Sequence, residues 1–471
     1  MSVTEDDIIR IIREFSAKEE LFRNETVLVA LSGGGDSVAL LDVLLRIRDE
    51  FGLSIAASHV NHALRGEASE ADETFCRDLC RERSVHLDVH RLKPGALDVA
   101  GDSLETAARN RRLICLEASA REAGATKIAT GHTASDLVET VLQRILRGTG
   151  PSGLSGILPV RENRWVRPLL CVDRDMLREY LILRRIPFRE DETNADTTHF
   201  RNRIRHRLLP LIREEFAAGI DITIRRLAEL TRVQESWIDV EVERRYRECL
   251  VHADDYKILL EKSTFVRYYI AVRQRLIRHC LNRLEGRGRD DDKGEIESII
   301  SVVSEDRGIV PVNSSLTVEV YGNTIIFTRS RKRYDPFVLN VKGKTSLPYA
   351  GGDIQAEAVI GSRHPGDLLA ADIPAVVIER YGTLTVGSVR NGETISLRRN
   401  HKPVKIRDLF TTAGIPRTLR DGIPVVRAGA VPLWIPGVAR SNLLAGADSP
   451  GAPSPGDISL SYHGGIYRQV F

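Results

Sequence analysis

A glycine-rich turn between two apolar runs constrains this chain more than any other feature. Val27–Leu31 is rich in valine and leucine, which is typical of a buried parallel strand, and Val38–Leu45 has helical spacing. The turn between them reads S-G-G-G-D-S at positions 32–37. In a strand, glycine-rich turn and helix, backbone amides and the helix N-terminus converge on an anion. The sequence therefore predicts a phosphate-binding loop, and a plain strand-to-helix turn is the alternative.

The loop offers several groups to a nucleotide. Glycine lets the backbone approach a phosphate closely and adopt positive φ, and the serine hydroxyls can donate to phosphate oxygens. Ser37 is also expected to cap the helix. Asp36 would repel phosphate unless a divalent cation lies between them, and Mg²⁺ commonly bridges carboxylates and nucleotide oxygens. The predicted ATP-binding residues are Ser32, Gly33, Gly34, Gly35, Asp36 and Ser37.

Strands and helices alternate after this loop. That order implies an α/β fold, a parallel-sheet nucleotide-binding domain with helices on both faces. Ligands of such sheets bind beyond the carboxyl ends of the strands, which places 32–37, 61–65 and 131–136 on one rim. The predicted strands are 54–60, 85–90 and 127–130, and the predicted helices are 69–83, 103–123 and 134–147.

Two residues near 131–136 are candidate catalytic groups. His132 follows the strand 127–130, and Asp136 lies in the first turn of the next helix. A second carboxylate facing Asp36 would complete a Mg²⁺ site. The alternative is that Asp136 only complements the helix dipole, and a loop histidine is more often structural. The predicted catalytic residues are Asp36, His132 and Asp136, with the two aspartates as tentative magnesium ligands.

Charged residues also recur along one helix face and in one dense run. Glu105, Arg109 and Arg112 have helical spacing, for which a surface ladder of ion pairs is the alternative. The segment 199–213 is rich in arginine, and Phe200 could stack on a base. A solvated charged face is the alternative there. The RNA-binding residues predicted in this segment are Arg201, Asn202 and Arg205.

Length and composition set broader limits. At about 150 residues per domain, the 471 residues correspond to several domains. The formal net charge is only +3, so affinity for nucleic acid must come from local basic patches. Six scattered cysteines without a C-x-x-C pair suggest a reducing compartment. With an acidic start and no apolar run long enough for a bilayer, a soluble cytoplasmic protein is expected.

The rest of the chain predicts two further domains. Residues 214–284 are expected to be helical, and a hairpin is expected at 316–320 and 324–328 with a turn at Gly322. The last part is rich in β-branched residues and has its own basic residues, for which a purely stabilising role is the alternative. The expected domains are 1–213 (catalytic), 214–335 (mainly helical) and 336–471 (small mixed α/β, RNA-binding).

Spaced motifs over most of the chain resemble those of the tRNA(Ile)-lysidine synthetases, a family of N-type ATP pyrophosphatases. One departure is that this family often has G-H-H-x-D-D where this chain has Thr133 and Ser135. The matching blocks are S-G-G-G-D-S at 32–37, H-V-N-H-A-L-R-G at 59–66, E-T-A-A-R-N-R-R at 105–112, G-H-T-A-S-D-L-V-E-T at 131–140, R-P-L-L at 167–170, F-R-N-R-I-R-H-R-L-L-P at 200–210 and K-I-R-D-L-F at 405–410.

The resemblance implies a two-step ligation. ATP and Mg²⁺ would adenylate C2 of the wobble cytidine in tRNA(Ile) with a CAU anticodon, and the ε-amine of free lysine would then displace AMP. The glycine loop would hold pyrophosphate, and Glu105 and Asp136 would meet the lysine ammonium. Arg109 and Arg112 would lie near phosphate or tRNA. The oligomeric state stays open, with a homodimer as one alternative, and no membrane partner is expected.

Three other functions were weighed against this one. A tRNA-thiolation enzyme shares the ATP loop, but many of those enzymes carry paired C-x-x-C cysteines, which this chain lacks. A small-metabolite ligase of the GMP- or NAD-synthetase type would leave the long basic modules without a purpose. A non-catalytic RNA-binding protein would not need Asp36 beside a phosphate-binding loop.

Overall fold

The computed structural model describes residues 4–63, 66–92, 104–189, 200–286, 293–305, 307–329, 336–340, 343–347, 352–358, 368–398, 402–444 and 458–464. The chain divides into two compact units, Met1–Ile238 and Asp239–Phe471. The expected domain boundaries after residues 213 and 335 stay predictions.

The first unit contains a six-stranded sheet with the order β3-β2-β1-β4-β6-β5. All neighbours are parallel except β5 and β6, which pair antiparallel at the edge. This confirms the predicted parallel α/β sheet. The strands are β1 (Thr26–Ala30), β2 (Ser54–Asn61), β3 (His86–Arg91), β4 (Lys127–Ala129), β5 (Val160–Arg161) and β6 (Trp165–Val166).

Helices connect these strands and pack on the sheet, and the first of them begins at a capping box between Thr4 and Asp7. Two short π-helical turns, Ile204–Leu208 and Ile212–Phe216, interrupt the arginine-rich segment. The helices are α1 (Glu5–Lys18), α2 (Gly35–Phe51), α3 (Glu67–Glu82), α4 (Leu104–Glu122), α5 (Ala134–Arg147), α6 (Pro151–Leu154), α7 (Arg174–Leu183), α8 (Phe200–Arg203), α9 (Leu209–Leu211) and α10 (Ile220–Cys249).

The second unit begins with helices around a five-stranded antiparallel sheet of order β7-β8-β11-β10-β9. The predicted hairpin is confirmed as β10 and β11, with Gly322 at φ +55°. The expectation of helix throughout 214–284 is wrong at β7 and β8. The elements are β7 (Leu250–Ala253), β8 (Lys257–Glu261), α11 (Lys262–Phe265), α12 (Ile270–Glu285), α13 (Lys293–Val303), β9 (Arg307–Pro311), β10 (Leu316–Tyr321) and β11 (Thr324–Arg329).

The C-terminal part adds sheets of order β12-β16-β19-β20-β21 and β13-β14-β22-β15 and a two-stranded pair, β17 with β18. Its strands are β12 (Phe337–Val338), β13 (Gly343–Leu347), β14 (Gly352–Ala358), β15 (Ala370–Ile373), β16 (Leu384–Gly387), β17 (Thr394–Ile395), β18 (Val404–Lys405), β19 (Val425–Ala428), β20 (Val431–Ile435), β21 (Ala439–Arg440) and β22 (Ile458–Gly464), and its helices are α14 (Ala375–Tyr381) and α15 (Ile406–Thr412).

The two parts of the second unit share a core. Leu259 and Ile326 of the five-stranded sheet pack in one buried cluster with Ile406 and Phe410. The Glu319 carboxylate of β10 also accepts hydrogen bonds from residues 417 and 418 of the C-terminal part. These contacts explain why residues 239–471 form one compact unit. Among the described helices, none is both long and apolar enough to cross a membrane.

Candidate active site

The glycine loop between β1 and α2 is held in shape by its two serines. Ser37 Oγ donates to the carbonyl of Gly34 at 2.8 Å and accepts from the backbone N and Oγ of Ser32, both at 3.1 Å. Gly33 has φ +89°, which glycine adopts without strain. The expectation that Ser37 caps α2 is wrong, because the N-cap is Gly34 and the Ser37 hydroxyl lies inside the first turn. The hydrogen bonds among Ser32, Gly34 and Ser37 therefore hold the loop in this conformation.

Asp36 and Asp136 follow two neighbouring strands of the sheet, β1 and β4. The strands β2 and β4 lie on opposite sides of β1, so the gap between β1 and β4 is the switch point at which such sheets bind ligands. The two loops touch at Gly131, where a Cβ would lie 3.1 Å from the backbone carbonyl of Asp36. Any larger residue would have to push the backbone of Asp36 away, so glycine permits the close approach that brings the two predicted carboxylates to one place.

Three carboxylates meet there, and Arg174 bridges them. We call Asp36, Asp136 and Glu139 the carboxylate cluster. Arg174 Nε donates to Asp36 Oδ2 at 3.1 Å and its Nη2 donates to Asp136 Oδ1 at 2.8 Å. Its Nη1 lies 3.5 Å from Glu139 Oε1. The side chain of Asp36 is 28% exposed, whereas that of Glu139 is only 2% exposed. One guanidinium thus contacts all three acids.

Arg201 and Arg205, predicted to bind RNA, contact the same cluster. Arg201 donates to Glu139 Oε2 and to Asp136 Oδ1, both at 2.8 Å. Arg205 donates to both oxygens of Glu139, at 2.6 and 2.9 Å. Arg205 lies in a π-helical turn, a feature that is frequent at functional sites. Donors already bound to carboxylates are less available to a phosphate, although RNA binding by these residues stays a prediction.

The residues that depart from the family pattern have local structural roles. Thr133 is the N-cap of α5, and its Oγ1 and backbone N donate to Asp136 Oδ2 at 2.9 and 2.8 Å. The carboxylate of Asp136 therefore caps the helix with one oxygen and faces the arginines with the other. Ser135 Oγ accepts a hydrogen bond from the backbone N of Arg174 at 3.2 Å. Both roles proposed for Asp136 from the sequence are thus compatible.

The pKa of Asp36 is shifted in the opposite direction from the pKa values of Asp136 and Glu139. Burial raises the pKa of Asp36 above its usual value, and Arg174 only partly opposes this. Burial acts in the same direction on Asp136 and Glu139, but the adjacent arginines outweigh it and hold both pKa values below the usual range. Asp136 and Glu139 therefore remain ionised at neutral pH.

His132 is held in its neutral form. Its Nδ1 and Thr130 Oγ1 are 2.8 Å apart and hydrogen-bonded. Burial, assisted by the charges of Arg167, Arg201 and Arg112 and opposed by Asp136, lowers the pKa of His132 to about 4. A neutral imidazole beside the cluster can donate or accept one hydrogen bond at physiological pH but does not carry charge.

A second group of arginines near the rim has no acidic partner in the part of the chain that the structure describes. Arg109 and Arg112 lie one turn apart on the exposed side of α4, and no ion pair is found for either within the described ranges. Burial lowers the pKa of Arg167 to about 10, and its Nε has no hydrogen-bond partner among the described residues. These cations are available to an anion.

The remaining candidates lie apart from the cluster or outside the description. The side chain of Glu105 and the whole of Arg65 fall outside the described residues, and Asn202 is partly buried on α8. Asn61 is buried and donates to Glu73 Oε2 at 3.1 Å. Phe200 lies beneath the guanidinium of Arg147, 5.3 Å from ring centroid to Cζ.

Two models of known protein families match this chain, one in each compact unit. Residues 4–212 match a family model for the PP-loop domain, and residues 384–452 match one for the TilS substrate C-terminal domain. The tRNA(Ile)-lysidine synthase of Symbiobacterium thermophilum is 32% identical over 91% of this chain and 93% of its own. That of Solibacter usitatus is 32% identical over 87% and 92%, and that of Clostridium perfringens 30% identical over 90% and 93%.

The chain belongs to the tRNA(Ile)-lysidine synthase family. In this lysidine synthase family member, sequence reasoning missed one residue of the carboxylate cluster and the arginine that bridges it. Glu139 follows Asp136 by three positions on α5, so helical spacing within the motif could have indicated it. Arg174 is 138 residues from Asp36, outside every motif used, and nothing in the sequence pointed to it.

Proposed function

We propose that this protein is an ATP-dependent ligase that joins lysine to C2 of the wobble cytidine in tRNA(Ile) with a CAU anticodon. The C2 oxygen attacks the α-phosphorus of ATP, and pyrophosphate leaves. The ε-amine of lysine then attacks C2, loses a proton, and displaces AMP together with the oxygen. The product base, lysidine, pairs with adenine, so the tRNA reads AUA.

The observation that carries this proposal is the meeting of a phosphate-binding loop and a carboxylate cluster at the switch point of the sheet. The amides of 33–35 and the N-terminus of α2 form a cradle for phosphate, and Asp36 lies in the first turn of that helix. An adenylating enzyme needs both features, because it must hold the triphosphate and neutralise the charge that develops as pyrophosphate leaves.

The residues present fit a magnesium ion. Asp36 and Asp136 already point oxygens at a common cation, the Arg174 guanidinium, and Mg²⁺ prefers oxygen ligands. Among the described residues there is no group of three or more acidic, histidine or cysteine ligands that would form an all-protein site. Two carboxylates with nucleotide oxygens and water are the usual set for Mg²⁺ with ATP. The ion would neutralise charge on the phosphates.

The ammonium groups of lysine need negatively charged partners, and two carboxylates of the cluster stay ionised. Asp136 and Glu139 have lowered pKa values, so they carry negative charge at neutral pH. We assign the lysine contact to Asp136 and Glu105, the carboxylates expected from the sequence, because Glu139 is 2% exposed and already paired with Arg201 and Arg205.

The tRNA would meet basic residues in both compact units. Arg109 and Arg112 are exposed in the first unit, without ion pairs in its described part. Arg398, Lys402, Lys405 and Arg407 are exposed in the second unit. Two separate basic surfaces increase affinity for a large RNA through avidity. Arg201 and Arg205 would contact the RNA, with Asn202 between them in the sequence, only on leaving their carboxylate partners. The protein would act as a monomer or a homodimer in the cytoplasm, where ATP, lysine and tRNA meet.

Mass spectrometry of the wobble nucleoside tests the proposal. The protein is incubated with ATP, Mg²⁺, lysine and tRNA(Ile) with a CAU anticodon, and a mass gain of lysine less water at position 34 is expected. The same tRNA with uridine at the wobble position and a reaction without lysine are the controls. ATP cleaved to AMP and pyrophosphate without that gain would overturn the assigned nucleophile, and an inert mixture would overturn the activity.

A further inference from the structure

We propose that Arg174 occupies the magnesium position of the nucleotide-free protein, and that Mg²⁺ enters only together with ATP, in exchange for this guanidinium. The inference rests on the proposed function for the identity of the metal site. It goes beyond that function by assigning a resident cation to the site and an order to the binding of metal and nucleotide.

The geometry makes arginine and metal mutually exclusive. Arg174 Nε and Nη2 bind Asp36 Oδ2 and Asp136 Oδ1 at 3.1 and 2.8 Å, and these are the two carboxylates that would hold the ion. A Mg²⁺ ion needs its oxygens at about 2.1 Å in octahedral geometry, which leaves no room for a guanidinium between them. Among the described arginines, Arg174 is the one with an ion pair to Asp36.

Charge balance explains why the metal would need the nucleotide. The three acids of the carboxylate cluster face three arginines, so the cluster is close to neutral without a ligand. A divalent cation alone would add uncompensated charge to a partly buried site, which is unfavourable. A triphosphate brings compensating negative charge, and a displaced guanidinium can then bind phosphate oxygens with charge-assisted hydrogen bonds.

The position of Arg174 permits this exchange. It is the first residue of α7, and its side chain is 30% exposed, so the guanidinium has a path through solvent. Its backbone N is held by Ser135 Oγ at 3.2 Å, which fixes the main chain while the side chain moves. Glu139, at 2% exposed, stays paired with Arg201 and Arg205 throughout.

Binding of Mn²⁺ as a spectroscopic substitute for Mg²⁺, measured by electron paramagnetic resonance on the full chain without nucleotide, tests the exchange. We expect wild-type protein to bind Mn²⁺ weakly alone and tightly once a non-hydrolysable ATP analogue is present. Arg174→Gln should bind Mn²⁺ alone about tenfold more tightly or better, since it frees both oxygens and removes a nearby positive charge.

Arg205→Gln is the matched control, because it removes the same charge from the cluster without a contact to Asp36, and the Nη2 of Arg205 lies 3.7 Å from Asp136 Oδ1, beyond hydrogen-bonding distance. A smaller gain in this variant, and loss of the gain in Arg174→Gln combined with Asp36→Asn, would support exchange at the position of Arg174. Equal gains in both single variants would overturn it in favour of a simple charge effect.

Two further outcomes decide the matter. Wild-type protein that binds Mn²⁺ equally well with and without nucleotide would overturn the proposal. If Arg174→Gln does not fold by circular dichroism, Arg174→Lys replaces it, because one ammonium cannot bridge both carboxylates as the fork does, and unchanged Mn²⁺ affinity there would also overturn the exchange. The measurement uses neither tRNA nor lysine, so it stands apart from a failure to form lysidine.

Discussion

Buried or partly buried arginine–carboxylate ion pairs occur in both compact units, but their surroundings differ. In the second unit, Arg427 is completely buried and donates to both oxygens of Glu393. Its remaining donors bind the carbonyls of residues 387, 388 and 425. In the first unit, Arg174 is partly exposed, shares its acids with two other arginines, and lies beside a phosphate-binding loop.

The difference separates a fixed ion pair from an exchangeable one. A buried guanidinium whose donors are all used can be replaced only at the cost of leaving a charge without a partner. An arginine with solvent access can leave at much lower cost when, as for Arg174, two of its three acids already have other arginine partners. The residue types in a group of ion pairs therefore do not identify an active site. What identifies it is whether the charged groups have other partners available when one of them leaves.

The largest effect is expected at Asp36. Asp36→Asn should lower the rate of lysidine formation by about a thousandfold, because it removes a metal ligand and charge compensation at the phosphates. Affinity for tRNA, measured by filter binding, should stay nearly unchanged. Asp42→Asn is the matched control, since Asp42 lies on the same helix but is buried against Tyr180 and Arg83, away from the rim. Turnover preserved in Asp36→Asn would refute the metal role.

Breaking the fixed pair should instead affect stability. Arg427→Met leaves the Glu393 carboxylate buried without its main partner, and should lower the free energy of unfolding by about 4 kcal/mol. Urea denaturation measures this, and lysidine formation per folded molecule should be retained. Adding Glu393→Gln should recover part of the loss. A loss below about 1 kcal/mol, typical of an exposed pair, would remove the distinction between the two clusters.

Glu73 is an intermediate case, because its acid is buried while its main partner, Arg91, is largely exposed. Hydrogen bonds from Arg91, assisted by those from Asn61 and Arg77, outweigh burial and lower the pKa of Glu73 to about 2. The stability from this shift is complete above the unfolded pKa of about 4.3 and is lost as pH falls through the folded value.

Glu73→Gln should therefore cost about 2 kcal/mol at pH 7, and the deficit relative to wild type should shrink towards pH 3. Urea denaturation at the two pH values measures it. A deficit that does not change with pH would show that shape, and not charge, makes Glu73 important. Because Asn61 precedes the loop with His62, the same variant also tests whether this network positions the rim.

The parallel sheet and its rim could be predicted because they depend on local patterns. The strand β1 is a short run of valine and leucine followed by glycines, and α5 was predicted with its observed bounds, Ala134–Arg147. Short apolar runs are ambiguous between helix and strand. The run in β8, K-I-L-L-E, was therefore assigned to a helix, and only its pairing with β11 makes it a strand.

The composition of the cluster could not be predicted, because it depends on distant parts of the chain. Arg201 meets Asp136 across 65 residues, and Arg174 meets Asp36 across 138. A dense run of arginines gives the same sequence pattern whether its partners are phosphates or carboxylates. The sequence therefore favoured RNA contact for Arg201 and Arg205, whereas the fold supplies both with carboxylate partners.

The smallest expected effect distinguishes these two kinds of arginine directly. Arg112 has no ion pair within the described ranges, so Arg112→Ala should weaken tRNA binding and reduce its salt dependence by about one phosphate contact. Arg205→Ala should leave the salt slope nearly unchanged but slow lysidine formation, because Glu139 loses two hydrogen bonds. Filter-binding titrations in salt compare the two slopes. A reduced slope in Arg205→Ala would mean that Arg205 leaves the carboxylate cluster to bind RNA, and it would make this arginine, like Arg174, an exchangeable one.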